Sequence, residues 1–220
     1  MRPCLLPHAY YSATKHSAHL PDNHQMLHEL FTLKLALCLE EHDVPDELLI
    51  NADHAGVMLL NTGGYGRTEE GNELGSISHS SSEKRQFTVL PAVACSGDVY
   101  DWQVVFEGKT DQCLPSVEVL VQRQHPNLYY SYSSNHWSNM KTTKEFTRKM
   151  HRVLTVYREK TGRRTAIACL LIDCWKVWAT HEFSAWVAET FHGDIVLRFV
   201  DARMTSVEQP LDVQLQSYTK

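Results

Sequence analysis

The stretch that decides the fold is Ala166–Asp173, which reads AIACLLID. Seven apolar residues run from Ala166 to Ile172 without a polar interruption, and a carboxylate follows them. A continuous apolar run of this length is typical of a strand that is covered on both faces of its sheet. We therefore expect Asp173 to stand at the carboxyl end of the most buried strand in the chain.

The segments on either side of this strand alternate between helical and extended patterns. A helix capped by Thr142 or Thr143 is predicted to run to about Lys160. A second helix is predicted over residues 182–191, and a further central strand over residues 195–200. This order of elements indicates a sheet with helices packed against it.

The N-terminal half supplies a helix and a hairpin. Residues 1–24 are predicted to be irregular, and residues 25–41 carry a helical pattern with a wide apolar face. The strands of a hairpin are predicted over residues 85–95 and 99–106, joined by Ser-Gly-Asp. The whole pattern predicts an α/β fold in which helices flank a mixed sheet.

Composition limits the class of protein. The chain has 220 residues, 43% hydrophobic and 21% charged, and a net charge of −5, which fits a globular domain. Its longest apolar run falls far short of the roughly 18 residues of a membrane span. The N-terminus lacks a secretion signal, and the six cysteines include no CxxC pair. These features predict a nuclear or cytoplasmic protein that does not contact a membrane. The acidity argues against a protein that coats DNA.

Three carboxylates fall at informative places. Asp53 follows a short apolar strand at residues 48–50, Asp173 ends the buried strand, and Asp212 lies in the last predicted helix, after Gln-Pro-Leu. Carboxylates at strand ends can converge on one sheet edge and bind hard divalent cations. They can equally be solvated loop or cap residues, and spacing alone leaves both interpretations open.

Five segments in order resemble a known family. They are NADHAG (51–56), EKRQFTVLPAVACSGDVYDWQVVFEGKT (83–110), NHWSNMKTTKEF (135–146), LLID (170–173) and TSVEQPLDV (205–213). Together they resemble the DDE-type endonuclease domain of pogo/Tigger/jerky-like transposases, a branch related to the Tc1/mariner group. The resemblance covers residues 25–220.

The resemblance implies a fold and an activity. The expected fold is ribonuclease H-like. Asp53, Asp173 and Asp212 match the catalytic triad, which in this family holds two Mg²⁺ or Mn²⁺ ions for DNA cleavage and strand transfer. DNA is therefore the expected partner.

One predicted helix and one tryptophan are the best candidates for DNA contact. Trp137 could stack on a base. The helix carries a run of basic residues that could contact the phosphate backbone, although a solvated charged face is the commoner explanation of such a run. These residues are Lys141, Lys144, Arg148, Lys149 and Arg152.

A second hypothesis keeps the fold without the chemistry. The sequence after Asp173, CWKVWATHEF, departs from the family pattern, and eight residues follow Asp212. Residues 1–24 do not match the helix-turn-helix DNA-binding region of this family, so DNA binding is expected to be weak. The alternative is therefore an inactive, truncated or domesticated relic that acts as a nucleic-acid or protein interaction module.

Overall fold

The computed structural model describes residues 20–58, 86–116, 127–174, 176–200, 204, 208, 210 and 211. The α-helices bounded within these ranges are α1 (His24–Glu41), α2 (Met140–Thr161) and α3 (His181–Phe191). Residues 208, 210 and 211 are also helical. No helix in the described residues is both long enough and apolar enough to span a bilayer.

Within the described residues, eight strands form two mixed sheets. They are β1 (Leu49–Ala52), β2 (Ala55–Met58), β3 (Gln86–Leu90), β4 (Ala92–Ala94), β5 (Trp102–Glu107), β6 (Leu128–Ser133), β7 (Ala168–Asp173) and β8 (Ile195–Val200). The first sheet has the order β4-β1-β7-β8, and the second has the order β2-β3-β5-β6. In the first sheet β1, β7 and β8 are parallel and β4 is antiparallel to β1.

The β7 strand confirms the prediction made from AIACLLID. Its residues from Ala168 to Ile172 are all buried, and its neighbours are β1 and β8. Phe146 of α2 and Phe183 of α3 belong to the same core cluster as Leu170 and Ile172. The apolar run is therefore the centre of the core.

The predicted hairpin over residues 85–106 is wrong in part. The chain breaks at Pro91, so that β3 pairs with β5 while β4 leaves for the other sheet and pairs with β1. Proline has no N–H to donate to a strand ladder, which explains why pairing changes partner at this residue. The consequence is that one segment of chain connects the two sheets.

The predicted cap of α2 is also wrong. Asn139 is the N-cap: its side chain accepts a hydrogen bond from Thr142 N at 3.0 Å, and Asn139 N donates to Thr142 Oγ1 at 2.9 Å. Thr142 is thus the third helical residue of a capping box. Gly162 ends the helix with φ 73°, as predicted.

Candidate functional site

Asp53 and Asp173 lie at the ends of neighbouring parallel strands. Ala52 of β1 and Ile172 of β7 are register partners, so the two aspartates occupy the next position along each strand. Adjacent strands are about 4.8 Å apart. Asp53 is 5% exposed and Asp173 is half-buried. The structure therefore brings these two predicted site residues to one edge of the first sheet.

Each of the two carboxylates accepts a hydrogen bond from the next backbone amide. His54 N donates to Asp53 Oδ1 at 2.8 Å, and Cys174 N donates to Asp173 Oδ1 at 2.7 Å. A hydrogen bond from an N–H favours the ionised form of a carboxylate and limits its rotation. Both side chains are thus held in a defined orientation at the sheet edge.

His54 connects this edge to the start of α2. Its Nε2 atom is 2.8 Å from Ser138 Oγ, and its ring lies 6.0 Å from the ring of Trp178. Burial lowers the pKa of His54 to about 4, so the imidazole is neutral at pH 7. His54 therefore adds no positive charge beside Asp53, and it positions the residues that lead into α2.

Asn51 links Leu211, near the end of the chain, to the sheet. Its side-chain Nδ2 donates to Leu171 O at 3.1 Å, and its Oδ1 accepts from Leu211 N at 3.1 Å. Asn51 is 7% exposed and Leu211 is 4% exposed. One buried amide thus joins β1, β7 and the helical residues that precede Asp212.

Asn51 is not among the predicted site residues, although its position in the sequence carries a usable signal. Residues i and i+2 of a strand point to the same face. An amide two positions before Asp53, on a short strand that is otherwise apolar, is a candidate partner for a polar site.

Asp212 lies outside the described residues, so the geometry of the predicted triad is known for two members. Within the described ranges no three His, Cys, Asp or Glu side chains are grouped in a way that could hold a metal ion. The chemistry of the donor set nevertheless suits Mg²⁺ or Mn²⁺, because both prefer carboxylate oxygens. Asp53 and Asp173 supply such oxygens at one edge, and Leu211, the residue before Asp212, is hydrogen-bonded to Asn51 at β1.

Two of the predicted basic residues of α2 lie over one aromatic ring. Lys144 Nζ lies 5.1 Å from the Trp186 ring centroid, and the guanidinium carbon of Arg148 lies at the same distance. Arg152 is exposed one turn further along the helix. Stacking on an aromatic face keeps a cation charged and accessible while it limits its motion. These three residues form a cationic surface that we call the α2 face.

The other two predicted basic residues are paired with carboxylates. Lys149 Nζ lies 3.3 Å from Asp101 Oδ2, and Lys141 Nζ lies 4.0 Å from Glu145 Oε1. Their positive charges are therefore partly offset within the domain, which makes them weaker candidates for contact with phosphate than the α2 face.

Trp137 is half-buried, and it contacts its own neighbours. Its ring lies 5.0 Å from that of His136, and its carbonyl accepts a hydrogen bond from Ser133 Oγ at 2.7 Å. Because the tilted ring of His136 lies against it in the loop before α2, part of the Trp137 surface is already covered. Trp137 lies in the loop before α2, directly before Ser138, the residue that is hydrogen-bonded to His54 beside Asp53.

Solved structures of one transposase share this architecture. A pre-cleavage Mos1 transpososome matches with TM-score 0.59 and 11% identity, over 96% of this chain and 53% of that chain. The Mos1 mariner paired end complex with Mn matches with TM-score 0.56 and 11% identity, over 96% of this chain and 53% of that chain. The fold is ribonuclease H-like.

The identity of 11% means that this likeness shows the fold alone. The chain spans about half the length of the Mos1 chains that it matches. No protein-family model and no curated protein matches the sequence. The α/β, ribonuclease H-like fold expected from the sequence is confirmed, and the roles of Asp53, Asp173 and Asp212 stay predictions.

Proposed function

We propose that this chain is a transposase-derived DDE endonuclease domain of the pogo/Tigger/jerky branch, which cleaves DNA phosphodiesters with divalent metal ions. The observation that carries the proposal is the register of β1 and β7, which places Asp53 and Asp173 side by side. The similar solved structures are of Mos1 transposase complexes, including one with a transposon end and one with Mn. They support DNA and a divalent metal as the partners proposed for this chain.

Asp53, Asp173 and Asp212 would hold two Mg²⁺ or Mn²⁺ ions at the sheet edge. When bound, such ions supply Lewis acidity that activates a water or hydroxyl and stabilises a leaving oxygen. The protein contributes orientation: the amides of His54 and Cys174 fix the first two carboxylates. Asn51 fixes the chain directly before the third.

The α2 face would contact the DNA backbone. Lys144 lies in the first turns of α2, which begins two residues after Ser138, and Ser138 is hydrogen-bonded to His54 beside Asp53. The chain that leads into α2 is therefore joined to the carboxylate edge by the Ser138–His54 hydrogen bond. With a net charge of −5, the domain should bind DNA weakly and with strong salt dependence. DNA as substrate also implies a nuclear location.

Nicking of supercoiled plasmid tests the catalytic proposal. With Mg²⁺ or Mn²⁺ we expect nicked circles from the native chain and none from Asp173→Asn. Asp111→Asn is the matched control, because it neutralises an exposed carboxylate on the short helix after β5. Nicking that survives Asp173→Asn would overturn the assignment of the site.

A second candidate function is a nucleic-acid or protein interaction module without chemistry. The α2 face favours it, because Lys144, Arg148 and Arg152 can contact phosphate whether or not the carboxylates bind metal. Calorimetric titration with Mn²⁺ separates the two functions. Saturable binding that is lost in Asp53→Asn supports the endonuclease, whereas DNA binding without saturable Mn²⁺ binding supports the module.

A further inference from the structure

Helix α1 carries an apolar stripe on the side turned away from the domain. Met26, Leu30, Leu33 and Leu37 expose 58%, 43%, 56% and 55% of their surface. The opposite side of the helix is half-buried or, at Cys38, fully buried. Because α1 already packs on the domain through that side, the outward stripe is a second apolar face. Contiguous exposed apolar surface of this kind marks an interaction site.

The spacing of the stripe is that of a coiled-coil seam. Successive members are four, three and four residues apart. This alternation places Met26 and Leu33 at d positions and Leu30 and Leu37 at a positions of a heptad. A seam of this type is self-complementary, since each a or d side chain of one helix packs between the side chains of an identical helix.

The charges beside the seam fit a parallel pair. Glu29 takes a g position and Lys34 takes the following e position, and both are exposed. In a parallel, in-register pair a g residue faces the e residue five positions later on the other helix. Glu29 of each copy would then face Lys34 of the other, twice by symmetry. An antiparallel pair would instead place Lys34 beside Leu27 and Glu29 beside Ala36.

We infer that α1 is a self-association surface, on which two copies of this chain pair in parallel and in register along Met26, Leu30, Leu33 and Leu37. The seam spans little more than three helical turns, so its area is smaller than the roughly 800 Å² per partner of a stable complex. The dimer is therefore weak and depends on concentration. The inference does not rest on the proposed endonuclease activity, because α1 contains none of the three aspartates.

Sedimentation equilibrium of the full chain without DNA tests the association. We expect a monomer–dimer equilibrium between micromolar and submillimolar concentrations. Leu33→Glu places a charge in the seam and should raise the dissociation constant at least about tenfold. Thr32→Glu is the matched control: it adds the same charge at the neighbouring exposed residue, outside the seam, and should leave the constant unchanged.

A charge exchange tests the parallel geometry and does not disturb the apolar seam. Glu29→Lys should weaken the dimer, because it places a second positive charge against Lys34 of the other copy, and adding Lys34→Glu should restore it. Circular dichroism of each variant confirms that it is folded. A chain that stays monomeric at every concentration would overturn the inference, as would a dimer equally weakened by Thr32→Glu and Leu33→Glu. A double variant that fails to restore association would overturn the parallel arrangement.

Discussion

Asn51 and Leu211 are 160 positions apart in the chain, and the Asn51 side-chain oxygen accepts a hydrogen bond from the Leu211 amide at 3.1 Å. The same side chain donates to Leu171 O on the neighbouring strand. A single buried amide therefore joins Leu211 to β1, which Asp53 follows, and to β7, which Asp173 ends.

Replacement of Asn51 by Ala should destabilise the domain by about 1–3 kcal/mol, because it leaves the Leu211 N–H and the Leu171 carbonyl without this partner in a buried place. Urea denaturation measures the loss. Hydrogen exchange of the Leu211 amide should accelerate more than exchange of amides in β8, since the hydrogen bond is local to the C-terminal segment.

Asn127→Ala is the matched control for this prediction. It removes the same side-chain atoms from an exposed turn residue before β6. Its effect on the free energy of unfolding should stay within about 0.5 kcal/mol. If the two variants were equally stable, the bridge through Asn51 would contribute nothing.

His54 should make stability depend on pH in mildly acidic solution. Its pKa in the folded state is about 4, below the value of 6.5 for an accessible imidazole. As pH falls below 6.5, the unfolded state takes up a proton that the folded state excludes, so the free energy of unfolding decreases. The loss grows as pH falls toward 4, where it is on the order of 3 kcal/mol, and levels off below that pH.

Chemical denaturation at a series of pH values between 6.5 and 5 measures this dependence. His54→Gln cannot titrate and should flatten the profile in that range. His181→Gln, at an exposed residue at the start of α3, serves as the control and should keep the slope of the native chain. An unchanged slope in His54→Gln would show that another group is responsible.

The sequence pattern was sufficient to predict the central strand and an α/β fold, because the burial of β7 is encoded in its uninterrupted apolar composition. The ribonuclease H-like form of that fold was implied by the family resemblance. The first residue of α2 was not predictable from apolar periodicity, since a reciprocal bond between Asn139 and Thr142 decides it. The change of partner at Pro91 was missed for a related reason: Pro91 forbids one ladder bond without indicating which strand β4 joins instead.

The candidate site was likewise predictable from the sequence only in part. The positions of Asp53 and Asp173 after apolar runs made them candidates, because the ends of parallel strands meet at one edge. Their role was implied by the family resemblance and stays a prediction. The position of Asn51 two residues before Asp53 marks it as a candidate polar residue, but its hydrogen bond to Leu211 depends on which distant segment lies against β1, and no local pattern contains that information.

The Arg158–Asp194 pair should stabilise the junction of α2, β7 and β8. Arg158 donates to both carboxylate oxygens of Asp194, at 3.0 and 2.6 Å, and also to Ala166 O at 3.0 and 2.7 Å. Hydrogen bonds from Arg158 are the main cause that lowers the pKa of Asp194, and His151 adds to them. Asp194→Asn should therefore cost about 1–3 kcal/mol at pH 7.

The contribution of Asp194 also has a predictable pH dependence. Because its folded pKa is depressed, the contribution is complete above the unfolded value of about 3.9 and is lost as pH falls below it. Acid titration of unfolding should thus be shallower below pH 4 in Asp194→Asn. Asp43→Asn breaks an exposed pair with Arg163, which water screens, and should cost less than Asp194→Asn. Equal losses from the two variants would contradict the structural role of Asp194.

The α2 face should determine how DNA affinity responds to salt. Each backbone phosphate that a cation contacts contributes about 0.9 to the slope of log affinity against log salt. Arg148→Gln and Arg152→Gln should each reduce that slope by about one unit if the side chain lies on a phosphate. Fluorescence anisotropy with labelled duplex at several salt concentrations measures the change.

Lys109→Gln is the matched control. It removes one positive charge from an exposed residue after β5 and should leave the slope unaltered, although it changes the net charge by the same amount. Equal reductions in all three variants would mean that net charge, and not the α2 face, governs binding.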